Sequence, residues 1–103
     1  MLHLQVFENQ INRYLLLSAL YKQSAADTNL VIDMQKTPEI HSLGYKHYQK
    51  VVTYLLQEQL IRQHNEQLQF LSITHRGIRA IEHVFKNIAE PTDYFPAYRE
   101  MMK

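Results

Sequence analysis

Apolar residues recur along the chain with two different periods, and the changes of period divide it into elements. Phe7, Ile11, Tyr14, Leu15, Leu17, Leu20 and Tyr21 fall at helical spacing over residues 5–21, on more than half of the circumference. A helix so apolar has to be covered on several sides, and the excess is expected to face a second subunit. The segment 24–29, SAADTN, reads as a small polar loop, and Leu30, Val31 and Ile32 as a short β-prone run that ends at Asp33. Thr37-Pro38-Glu39 predicts a helix start: a threonine that can cap, a proline whose missing N–H is not needed, and a carboxylate at the positive end of the dipole. Gly44 is expected to close that short helix in the left-handed conformation.

The next stretch, 45–61, is the most two-faced in the chain. Tyr48, Val51, Val52, Leu55 and Leu56 form an inward stripe, while Lys46, His47, Gln49, Lys50 and Thr53 point the other way. Each of those outward side chains can hydrogen-bond a base edge or a phosphate. After Ile61 the period changes. Two short strands around the polar tip Asn65-Glu66-Gln67, the second running from Leu68 to Ile73, predict a hairpin. Thr74 then caps a helix over 75–88, with Ile78, Ile81, Val84, Phe85 and Ile88 at helical spacing and Pro91 as its stop. A tail over 91–103 carries Tyr94, Phe95, Tyr98, Met101 and Met102, an apolar load expected in a short helix packed on the domain or on a dimer partner. The fold class expected is α+β, mainly α, with one domain over 1–90.

Composition narrows the function classes. A chain of 103 residues, 46% apolar, supports one modest core. Without cysteine it has neither disulfides nor the common thiolate zinc sites. No apolar run reaches the ~20 residues that span a bilayer, and the first ten residues lack the pattern of a signal peptide. The expectation is a cytoplasmic protein with no membrane partner. The net charge is only +1, yet residues 36–79 hold six Lys and Arg against three Glu, a local +3, and both flanks sum to −1.

Enzyme chemistry finds no support in the residues. His3, His41, His47, His64, His75 and His83 contain no i, i+4 pair of the kind that ligates a metal on a helix. With Gly44 and Gly77 as the only glycines there is no Gly-rich phosphate loop, and Gly77 fits close packing where strand enters helix. Ser18, Ser24, Ser42 and Ser72 have no recognisable base partner, and no nucleophile elbow or kinase motif occurs. The expectation is a protein that is not an enzyme, with no cofactor and no metal.

Two motifs carry a resemblance. Residues 54–61, YLLQEQLI, look like the end of the recognition helix in the winged-helix DNA-binding superfamily, especially its small bacterial transcriptional regulators. Residues 73–82, ITHRGIRAIE, are similar to that family's LTxxGxxxLE lead into the helix after the wing. Gln59 stands where the family usually has glycine, and Leu43-Gly44 lies nearer the inward stripe than the usual turn allows.

The resemblance implies a winged helix-turn-helix with a two- to three-stranded wing sheet and an additional C-terminal helical segment. It implies sequence-specific binding of double-stranded DNA by a transcriptional regulator, with the 45–61 helix in the major groove and the 61–73 hairpin as wing. The residues so assigned are Tyr45, Lys46, His47, Gln49, Lys50 and Thr53 on the helix, Arg62, His64, Asn65 and Gln67 around the hairpin, and Arg76 beyond it. A homodimer would present two such helices to successive major grooves. The alternative is a winged-helix protein-interaction module without DNA binding, its partner held by the first helix and the tail.

Overall fold

A computed structural model describes residues 2–102, apart from the side chains of Leu2 and His3. His3, among the histidines considered above, and Lys103, the last residue of the tail, therefore lie outside what is described. The chain is an α+β, mainly helical domain. Helix α1 spans Leu2–Ser24, strand β1 Ile32–Asp33, helix α2 Gly44–Gln57, strands β2 and β3 Ile61–Gln63 and Phe70–Ile73, helix α3 His75–Lys86 and helix α4 Tyr98–Met101. Two 3-10 helices, Met34–Lys36 and Pro38–Leu43, link β1 to α2.

Helix α1 lies at the centre. Leu16, Leu17, Ala19 and Leu20 are all buried, because α2, the second 3-10 helix, β3 and α3 each pack against it. The several-sided cover demanded by its apolar circumference is thus supplied largely within the chain. The three strands form one antiparallel sheet in the order β1-β3-β2, with Ile32 opposite Leu71 and Ile61 opposite Ile73. Leu71 and Ile73 enter the core along with Val52, Leu55, Leu60, Ile81 and Val84.

Both long helices end without glycine in a Schellman arrangement. At the end of α2, Leu60 N–H donates to the Leu55 carbonyl (2.9 Å) and Gln59 N–H to the Leu56 carbonyl (3.0 Å), with Gln59 at φ 62°. The same pair of bonds closes α1, from Ala26 to Tyr21 and from Ala25 to Lys22, with Ala25 at φ 50°. Helix α2 therefore stops at Gln57 rather than at Ile61, and Ile61 opens β2 instead.

Several expected boundaries shift for identifiable reasons. The strand expected over 30–32 forms at Ile32–Asp33, leaving Leu30 and Val31 exposed. Thr37 does not cap: its hydroxyl donates back to the Asp33 carbonyl (3.2 Å), and the short helix it precedes is 3-10. Gly44 has positive φ as expected, but at φ 74° and ψ 162° it is extended rather than left-handed helical, in a region essentially reserved for glycine. Strand β3 begins at Phe70, since Leu68 adopts φ 61° and belongs to the hairpin turn.

The cap of α3 is present, with Gly77 N–H donating to the Thr74 hydroxyl (3.0 Å). That helix ends at Lys86, five residues before Pro91, where Asn87 turns extended at φ −143°. Ile88 consequently lies outside the helix and is exposed. The tail folds onto its own chain. Thr92 forms a compact turn, its hydroxyl accepting from the N–H groups of Tyr94 (3.2 Å) and Phe95 (3.0 Å), and drives Phe95 into the core at 0% exposure. Tyr14 meets Phe95, Tyr98 and Phe85 edge-on, with ring centroids 5.8, 6.4 and 6.5 Å away. Much of the apolar load assigned to an interface thus seals the domain from within.

Candidate nucleic-acid interface

Helical geometry sorts α2 into three faces, because successive residues are rotated by about 100°. Val51, Val52 and Leu55 point into the core, and Lys46, Gln49, Lys50 and Thr53 form an exposed ridge on the opposite side. Tyr45, 73% exposed, stands on the hairpin side of that ridge, and exposed His47 stands on the α1 side. Neither Lys46 nor Lys50 is hydrogen-bonded or ion-paired to a described residue. Gln49 donates from Nε2 to the Tyr45 hydroxyl (2.9 Å). A bidentate contact to adenine uses both the donor and the acceptor of a carboxamide, so Gln49 would have to release Tyr45 to make one.

The hairpin between β2 and β3 is short and internally held. Asn65 Oδ1 accepts from the N–H groups of Gln69 (2.9 Å) and Phe70 (3.1 Å), and Asn65 Nδ2 donates to Gln67 Oε1 (3.2 Å). Asn65 is thus the residue that shapes the turn. Tyr48 fastens the hairpin to α2 by donating from its hydroxyl to the Leu68 carbonyl (2.6 Å), and burial pushes that phenol up to about 12. Between the start of α2 and the hairpin lies a largely apolar hollow of about 310 Å³, lined by Met34, Ile40, Tyr45, Tyr48 and Leu68 among others.

His64 has a partner that linear spacing hides. Its Nε2 lies 2.8 Å from the Ser72 hydroxyl, across the hairpin, so Ser72 does sit beside a base. Ser72 is buried on β3, and among the described residues no third group hydrogen-bonds the ring of His64. The pairing follows from the register, which sets Arg62 opposite Ser72 and brings residue 64 within diagonal reach. Arg62 and Gln67 are exposed. Among the described residues no three His, Asp or Glu side chains are placed to hold a metal ion.

Arg76 does not join the ridge. Its Nη2 donates to the Tyr94 hydroxyl (2.8 Å), and Glu58, just past the far end of α2, lies within electrostatic reach, so its charged form is favoured further. Residues not singled out in the sequence complete the surface on the other side. Asn9, Asn12 and Arg13 of α1 line a hollow of about 110 Å³ with His47 and Lys50. Arg13 also stacks on Tyr54, with Cζ 3.6 Å from the ring centroid. Burial raises the Tyr54 phenol, an effect the Arg13 charge partly offsets. The signal for these three was present as an i, i+3, i+4 polar triplet on a helix otherwise rich in apolar residues.

No protein-family model, curated protein or solved structure matches this chain. Among the described residues no helix is long and apolar enough to cross a membrane.

Proposed function

We propose that this chain is a winged-helix DNA-binding protein, a transcriptional regulator that lays the exposed ridge of α2 in the major groove of duplex DNA. The fold part of the reading is supported by the element order, helix, strand, short helix, helix, hairpin, helix, and by the strand order β1-β3-β2. One observation carries the functional part: Lys46 and Lys50 lie on the same exposed face as Gln49 and Thr53, with no partner for either ammonium among the described residues. Lysines so placed supply the salt-dependent phosphate term, while the carboxamide and hydroxyl between them can address base edges. The protein works as a homodimer and resides in the cytoplasm.

The deciding experiment is an anisotropy titration with mixed-sequence duplexes at low salt. Replacing Lys46 and Lys50 together by alanine should weaken binding and reduce the slope of log K against log salt by ~1.8, two phosphate contacts' worth. Wild type that retains no duplex at low salt would overturn the reading in favour of a protein-interaction module.

A further inference from the structure

Away from the α2 ridge, cationic side chains follow one another around the side of the molecule. The path starts at Lys50 and His47, which share a hollow with Arg13. It passes from Arg13 to Tyr54, on which the guanidinium is stacked, and Tyr54 is within electrostatic reach of Tyr94. Tyr94 receives the Arg76 hydrogen bond, and beyond it Arg76, Arg79 and His83 share a second hollow of about 270 Å³ with Thr92 and Asp93.

Helix α3 is built to display this row. Arg76, Arg79, His83 and Lys86 recur at i, i+3, i+7 and i+10, hence on one face, and all four are exposed. The only carboxylate of α3, Glu82, is turned aside to accept the Tyr21 hydroxyl (2.8 Å). Like charges one turn apart, here Arg76 and Arg79, repel by about 0.2–0.5 kcal/mol. A face kept cationic against that repulsion, with Glu82 directed elsewhere, is suited to an anion from outside the chain. Two carboxylates oppose it, Glu58 near Tyr54 and Arg76, and Asp93 in the second hollow.

We propose that the band from Arg13 through Arg76 and Arg79 to His83 is a second track for the phosphate backbone of the duplex, flanking the segment read by α2. This rests on the DNA-binding reading above and adds where the flanking strand runs. Guanidinium groups fit phosphate oxygens in a bidentate fork. Arg76 and His83 are about 10 Å apart along the helix axis, room for more than one phosphate of a strand that rises ~3.4 Å per nucleotide. Base stacking is not what the band offers: Arg13 already covers Tyr54, and the Tyr94 hydroxyl is tied to Arg76. The track therefore suits a duplex backbone better than an unstacked single strand.

The test compares Arg76→Gln/Arg79→Gln with the Lys46→Ala/Lys50→Ala protein in the same duplex titration. Loss of two contacts on the track should lower affinity about tenfold or more at ~0.1 M salt, reduce the salt slope by ~1.8, and shorten the protected footprint on one side only. Arg79→Gln/Lys86→Gln, which leaves the Arg76 to Tyr94 bond intact, should act in the same direction if the first variant folds poorly. Asp93→Asn should tighten binding. Unchanged slope and footprint in both arginine variants, with the α2 variant impaired, would overturn the track and leave the α2 reading standing. Absence of duplex binding by wild type would overturn both, and an acidic protein captured through Arg79 in its place would assign the row to a protein partner.

Discussion

Gly77→Ala is expected to be among the most damaging single-methyl additions in this protein. A Cβ at that position would lie 2.1 Å from the Leu60 carbonyl oxygen and 2.9 Å from Ile73 Cγ1. Ordinary contact needs ~3.5 Å, so the carbonyl must retreat by about 1 Å or more. It is not free to do so, because it accepts the Thr74 N–H at 3.1 Å, and Thr74 in turn donates to the Gln59 carbonyl (2.7 Å) while capping α3. Overpacking against backbone costs about 1–3 kcal/mol, the displaced backbone bond about 1 kcal/mol and the disturbed cap about 1 kcal/mol. Alanine's helical advantage over glycine returns about 1 kcal/mol. The net loss is about 3 kcal/mol, or about 15 °C in Tm for a domain of this size. Urea unfolding followed by far-UV circular dichroism measures it, with the m-value unchanged. Gly44→Ala is the matched comparison: a Cβ there meets nothing within 4 Å, so its cost of about 1–3 kcal/mol comes from backbone strain alone. A Gly77→Ala protein within about 0.5 kcal/mol of the parent, the usual range of harmless surface changes, would refute the close-approach argument.

Gln59 holds φ 62°, so Gln59→Gly should be neutral or stabilising by up to about 1 kcal/mol, whereas Gln59→Val should cost about 1–2 kcal/mol; the order of their urea midpoints checks this. Tyr14 and Tyr48 are both pushed up to about 12 by burial, so the unfolded chain loses these protons first as pH rises past 10, and stability present below pH 10 should be lost towards pH 12. A Tyr14→Phe/Tyr48→Phe protein should show a shallower alkaline decline; an identical decline would refute the assignment. The homodimer is checked by light scattering at micromolar concentration, where Ile88→Ser/Met102→Ser should shift the mass from two chains to one; a one-chain parent would end the proposal.

How legible the fold was depends on whether each feature is set locally. The Thr74 cap and the hairpin between Ile61 and Ile73 were readable because a hydroxyl before a helical period and a change of period need no distant partner. Helix α2 was read four residues too long because its stop lies in an unusual backbone state. Gln59 enters the left-handed region without glycine, held by the Leu60 and Gln59 amides, and no residue type announces this. The departure from the family pattern noted at Gln59 therefore keeps the glycine's geometry while losing its signature. Thr37 misled for the opposite reason: a good capping residue found a better acceptor in the Asp33 carbonyl once the chain turned.

The site separates along the same line. The α2 ridge was legible because exposure on an amphipathic helix follows from its own period, whereas Asn9, Asn12 and Arg13 join it only through the packing of α1 on α2. Arg76 was expected on the same surface as Lys46 and Lys50, beyond the hairpin, yet its hydrogen bond to Tyr94 sets it beside the tail. The tail also changes the argument for a second subunit. Phe95 at 0% exposure, and Tyr14 meeting three aromatic rings, remove most of the uncovered apolar surface from which a dimer was inferred. Of the exposed large apolar residues that remain, Leu4 and Val6 stand two positions apart on α1 and so on nearly opposite sides of that helix, while Phe85, Ile88 and Met102 lie at the end of α3 and in the tail. A two-fold contact between copies that is to cover apolar surface is therefore better placed on Phe85, Ile88 and Met102, where α3 gives way to the tail, than on the start of α1, where any one side offers only one of Leu4 and Val6, and it leaves the α2 ridge uncovered.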